Sequence, residues 1–199
     1  MVHLERKALV QDLQMREVMD WDTPSLCPGW SVHDVLAHLV DDAKTTTFGF
    51  VRRFAGAGFD FDRSNGQGVA RERRTDPWAT LEAFAAVSSR TTAAPAPLAT
   101  RLVEALVHGE DIRRPLGIGH SYPPAAAVSA MRYQLGTSIK MGGGKERAEG
   151  LRLIATDVDF AVGSGPEARG TVLDLLVAVC GRKLMNDGIQ GPGAVQLQV

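Results

Sequence analysis

Residues 31–43, Ser-Val-His-Asp-Val-Leu-Ala-His-Leu-Val-Asp-Asp-Ala, restrict the possible folds more than any other stretch of the chain. Val32, Val35, Leu36, Leu39 and Ala43 recur at i, i+3, i+4, i+7 and i+11. That spacing draws one apolar stripe along an α-helix, and the stripe must find a partner to bury it. Ser31, with Asp34 three residues later, supplies a capping pair at the positive end of the helix dipole. The pattern predicts a helix from Ser31 to about Phe54, broken by residues 56–68, GAGFDFDRSNGQG.

The partners of that stripe are also predicted to be helices. Residues 4–20 carry Leu4, Leu9, Leu13 and Val18 at amphipathic spacing. The Pro/Gly-punctuated segment WDTPSLCPGW, residues 21–30, then leads into the second helix. Asp76-Pro77 reads as an N-cap followed by a first-turn proline, opening a third helix through Leu81, Phe84 and Val87. After a connector over 91–97, a fourth helix runs from about Leu98 to Arg114 and stops at Pro115 and Gly117. Four helices joined by loops imply a bundle.

Beyond residue 120 the character changes. A fifth helix is expected over 125–140, ended by the glycine run before Lys145. LRLIATDVDFAV, residues 151–162, has the β-branched content of one strand or two. GSGPEARG, residues 163–170, reads as a loop and residues 171–184 as a helix. The terminal AVQLQV alternates like a short half-buried strand. The expected architecture is mainly α, a four-helix bundle over 1–120 followed by a small α+β domain over 121–199.

Net charge narrows the partners. Lys+Arg 22 against Asp+Glu 23 leaves −1, so no field draws the chain to a nucleic acid or an anionic membrane. No apolar run reaches the roughly 20 residues that span a bilayer, and the N-terminus lacks a signal-peptide core. A cytoplasmic location is the default expectation. Cys27 and Cys180 are too few for a disulfide framework or a cysteine-rich zinc site. A metal, if there is one, must be held by histidines and carboxylates.

Among the five histidines, His38 and His108 lie in the middle of predicted helices. Glu104 and His108 stand about 40° apart on the fourth helix, one turn from each other, and can aim two ligands at one point. Leu102, Val103, Leu106 and Val107 surround them. A glutamate in such company needs a counter-charge, which a cation or an arginine such as Arg101 could supply. His38, on the flank of its stripe, reads equally as a boundary histidine bonded to a carbonyl. Asp34 and Asp42 flank it by one turn each, as solvated charges or as partners of the imidazole. His33 points away from His38, and His3 and His120 are expected in solvent.

Residues 26–39, Leu-Cys-Pro-Gly-Trp-Ser-Val-His-Asp-Val-Leu-Ala-His-Leu, resemble the N-terminal motif of the mycothiol-dependent maleylpyruvate isomerase family, part of the wider DinB-like group. Residues 103–117, Val-Glu-Ala-Leu-Val-His-Gly-Glu-Asp-Ile-Arg-Arg-Pro-Leu-Gly, resemble its second signature, and residues 150–182 its C-terminal domain. The resemblance implies a DinB-like bundle in which His38, Glu104 and His108 hold one divalent metal, with zinc the first expectation. Three protein ligands leave a position open, as in catalytic zinc sites. The resemblance further implies mycothiol as cofactor, its sulfur held as a thiolate that attacks a small electrophile. Either isomerisation or S-transfer would follow. Arg182 matches an arginine that would anchor an anionic substrate; by its position alone it is equally a helix-end arginine. Arg113 and Arg114 read as structural, Asp111 as a support for His108, and Asn65 and Gln67 as residues of a loop that could line a cofactor cleft. The competing expectation is a non-catalytic protein that binds metal or a small molecule on the same fold.

Overall fold

In a computed structural model, which describes residues 1–92, 96–184 and 188–197, Ser31 caps the second helix as its sequence demands. The Ser31 hydroxyl accepts from the Asp34 amide at 3.2 Å, and the Asp34 carboxylate accepts from the Ser31 amide at 3.0 Å. That helix, α2 (Val32–Lys44), is the centre of an N-terminal unit spanning Met1–Gly119. Around it stand α1 (Val2–Gln14), α5 (Pro77–Val87) and α6 (Ala99–Arg113). α2 packs on α5 and α6, and α1 packs on the same two, which closes a four-helix bundle. Leu9 and Leu13 of α1, Val35, Leu36 and Leu39 of α2, Leu81 and Phe84 of α5 and Ile112 of α6 fill its core. Val18 is exposed, because α1 ends at Gln14 rather than near residue 20, and Leu4 in the first turn of α1 is exposed as well.

The long second helix of the sequence pattern is two helices. Thr45 turns to extended backbone and donates its hydroxyl back to the Asp41 carbonyl at 2.8 Å. Thr46 then caps α3 (Thr47–Gly56). Three successive threonines compete with the helical backbone for hydrogen bonds and cut the helix there.

The glycine-rich segment after α3 is likewise not a loop. Asp60 accepts from the Arg63 amide at 3.0 Å and opens α4 (Phe61–Glu72), which lies along α2. Gly68 explains the composition: a Cβ there would meet the Asp41 carboxylate oxygen at 2.6 Å. The glycine that reads as a helix breaker is a crossing point.

His120–Val199 form the second unit. Its sheet runs β2 (Ala161–Gly163), β1 (Arg152–Ala155), β3 (Glu167–Gly170), β4 (Ile189–Gln190), with β1 and β3 parallel and the outer pairs antiparallel. α7 (Pro124–Gly136) packs on α8 (Val172–Val179), and α8 covers β1 and β3. β3 lies inside the segment read as a loop, and a 3-10 turn at Ile139–Met141 replaces the end of the expected fifth helix. Residues 194–197 are helical (α9) where a strand was expected; 198 and 199 lie outside the described residues, as do 93–95 of the 91–97 connector.

The run Gly142-Gly143-Gly144-Lys145 is closed to anions. Its four amides donate to the carbonyls of Ile139, Ser138, Gln134 and Thr137. No described helix is long and apolar enough to cross a membrane.

Candidate metal centre

α2 and α6 bring His38, Glu104 and His108 to one point. His38 Nε2 lies 3.2 Å from Glu104 Oε2, and His108 Nε2 lies 3.1 Å from the same oxygen. One ligand atom from each residue falls within 4.8 Å of the others. The imidazole rings meet edge to face at 4.8 Å. Ligands bound to zinc at about 2.1 Å stand roughly 3.4 Å from one another in a tetrahedron. Two of the three separations are already near that value, so the donor set and spacing suit a divalent cation.

The surroundings differ for the two histidines. His108 Nδ1 lies 2.8 Å from Asp111 Oδ2, and Asp111 has no exposed surface. His38 Nδ1 is buried without a hydrogen-bond partner among the described residues; its ring packs instead on Trp30 at 5.2 Å. The loop that carries Trp30 is tied down at both ends: the Ser25 hydroxyl donates to the Trp30 carbonyl at 2.7 Å, and the Leu26 amide donates to the Asp111 carbonyl at 3.3 Å. Trp30 lies in the resembling segment 26–39, but no helical periodicity covers it and nothing local places its ring against His38.

A charged layer adjoins the cluster. Asp42, one turn after His38, accepts from the buried Arg6 of α1 at 2.7 Å. Burial, reinforced by the neighbouring Glu104 charge, raises the Asp42 carboxyl, with Arg6 opposing. Glu104 itself is pushed up by burial, but His108 and His38 outweigh this and hold it well below the usual carboxylate range. Burial would lower the His108 imidazole; Glu104 and the bond to Asp111 lift it instead to about 9. The charges of Glu104 and His108 thus favour one another across their 3.1 Å contact. Glu104 is 32% exposed against 10% and 12% for the two imidazoles, so the cluster opens to its surroundings on the carboxylate side.

The other candidates are placed as follows. Arg113 is fully buried and donates to Asp12 of α1 at 2.7 Å; Arg114 donates to Glu110 at 2.5 Å. Asn65 and Gln67 are on α4, not on a loop. His33 is buried with Nε2 2.9 Å from the Thr80 hydroxyl, and His3 and His120 are half-buried rather than in solvent. Cys27 and Cys180 form no disulfide and are half-buried. Arg182 belongs to the second unit, beyond α8, where its Nη1 donates to the Cys180 carbonyl at 2.8 Å.

The four-helix bundle with a small C-terminal α+β unit is of the DinB-like class, the fold of the solved structures that the chain matches. Residues 2–99, just under half of the chain, match the family model described as the mycothiol maleylpyruvate isomerase N-terminal domain. Two crystal structures share the fold: a mycothiol-dependent maleylpyruvate isomerase (TM-score 0.59, 14% identity) and its histidine-to-alanine mutant (TM-score 0.61, 15% identity). Each alignment covers 97% of this chain and 90% of the other. No curated protein matches the chain in sequence.

Proposed function

We propose that the chain is a metal- and thiol-dependent enzyme of the mycothiol-dependent maleylpyruvate isomerase type, with His38, Glu104 and His108 holding the cation. The observation that carries this reading is the convergence of three ligand atoms from α2 and α6 within 4.8 Å. Two imidazoles and one carboxylate suit zinc and leave coordination positions for other groups. The cation supplies one thing when bound: it lowers the pKa of a thiol beside it, so that the sulfur is a thiolate nucleophile at neutral pH.

The protein's own groups set the conditions. Asp111 fixes the His108 tautomer, so that Nε2 presents its lone pair to the site. Trp30 bounds the site beside His38 and limits its rotation. Arg6 offsets the accumulated charge of Asp42 and Glu104. Arg182 is assigned to anchor a carboxylate of the substrate, the role that its guanidinium geometry suits. The thiol is assigned as mycothiol and the second substrate as a small electrophile; attack on a conjugated double bond, rotation and elimination gives isomerisation.

Elemental analysis of purified protein tests the site, with about one divalent ion per chain expected in the wild type and none in a His38→Ala, His108→Ala double variant. Stoichiometric metal in that variant would remove the ligand assignment. Assays with mycothiol against maleylpyruvate, epoxides and alkyl halides test the chemistry. Metal binding without turnover of any of them would leave a binding protein instead.

A further inference from the structure

Five of the chain's seven phenylalanines fall within residues 48–61, on α3 and the start of α4. α3 buries none of its residues. Phe50, Phe54 and Phe61 pack ring on ring, at 5.5 Å for the first pair and 4.4 Å for the second. Outside that stack, Phe48 is 78% exposed, Phe59 72% and Val51 55%. Phe48 and Val51, three residues apart, share one face of the helix.

Phe59 adds strain to exposure. Its φ of 63° is the only positive value at a non-glycine position among the described residues. The left-handed region crowds a bulky side chain against its own backbone. The ring touches Phe54 edge-on at 5.5 Å and otherwise faces outward. A strained aromatic left in water gains little within its own unit, and such outliers mark places where a contact or function is served.

The charges beside the patch identify the contact. Arg52, Asp60, Asp62 and Arg63 are exposed, two of each sign. An anionic bilayer would attract the arginines and repel the aspartates. A second copy of the same surface, turned about a two-fold axis, can set arginines against aspartates while the apolar centres meet. We propose that the chain forms an isologous dimer through Phe48, Val51 and Phe59, with these charges as its rim. The dimer is independent of the metal reading, since none of its residues belongs to that cluster.

Sedimentation equilibrium of the full chain between about 1 and 100 µM tests the proposal. A concentration-dependent dimer is expected. Phe48→Ser weakens it tenfold or more. Phe59→Gly weakens it as well while raising the thermal midpoint of the monomer, because glycine accepts the backbone angle. An Arg52→Asp, Arg63→Asp variant fails to self-associate and regains a partner when mixed with an Asp62→Arg variant. A monomer throughout the range, or a dimer that Phe48→Ser leaves unchanged, overturns the proposal. Capture of monomer by phosphatidylserine vesicles would name a lipid surface instead and overturn it too.

Discussion

Nδ1 of His108 and Oδ2 of Asp111 stand 2.8 Å apart, and the carboxylate is sealed from solvent. The matching nitrogen of His38 has no such partner among the described residues. One imidazole of the cluster is therefore locked by a charge-assisted bond and the other by packing against Trp30.

Removing that lock has a defined cost. Asp111→Ala is expected to weaken divalent-metal binding by about 10- to 100-fold, measured by competition with a chelator. Asp111→Asn keeps an acceptor oxygen and loses less. The far-ultraviolet circular dichroism of both metal-free variants stays that of the wild type. Wild-type affinity in Asp111→Ala would show that the bond does not orient His108.

Arg182 separates two explanations by substrate. If it anchors a carboxylate, Arg182→Ala raises KM for carboxylate-bearing electrophiles by about tenfold or more and spares uncharged epoxides. If it only closes the end of α8 through the Cys180 carbonyl, both classes change together.

His33 gives the bundle an acid limit. Burial, then the nearby Arg73, lowers its imidazole below 6.5, while Asp34, Asp22 and Asp76 pull the other way. A depressed imidazole means that the unfolded chain binds the proton more readily. The stability so gained is full above pH 6.5 and is lost as the pH falls towards the folded-state value. His33→Gln can keep a bond to Thr80 and should flatten the urea midpoint between about pH 5 and 6.5. An unchanged slope would assign the acid sensitivity to another group.

Gly68→Ala should destabilise, against the preference of a helix for alanine. The propensity gain is at most about 1 kcal/mol. The new methyl occupies the place of the Asp41 carboxylate and drives it from Arg53 and Arg71, now 2.6 and 3.2 Å away. A net loss of about 1–3 kcal/mol is expected, with faster amide exchange in α3 and α4. A more stable variant would show that Asp41 can move freely.

The helices were legible where periodicity and caps agreed. Ser31, Asp34 and the stripe through Leu39 fix α2, and Asp76-Pro77 fixes the start of α5. The signal failed where local composition and packing disagree. Gly68 reads as a breaker because its use lies in the approach of α4 to α2, which no local pattern carries. Three threonines ended α2 early by bonding that periodicity does not register. At the site, the i, i+4 spacing places Glu104 beside His108 on α6, but their meeting with His38, 66 residues away on α2, is a tertiary fact. The resemblance of residues 26–39 and 103–117 to one family linked the two. The packing of Trp30 on His38 and the pairing of Asp42 with Arg6, rather than with the imidazole, were not legible, since each needs a neighbour brought by folding.

The α3–α4 excursion is fastened to α2 by the packing of α4, with Gly68 and Val69 buried, and by a row of charges: Asp41 to Arg53 and Arg71, Lys44 to Glu72, and Asp34 to Arg73. Attachments of this kind fade with ionic strength, whereas the hydrocarbon seams joining α1, α2, α5 and α6 do not. The α3–α4 flank is therefore the part of the bundle whose attachment depends on salt. In high salt this hairpin should peel away first, as an opening unit of its own, and lay bare one side of α2 while the four principal helices keep their grip on one another.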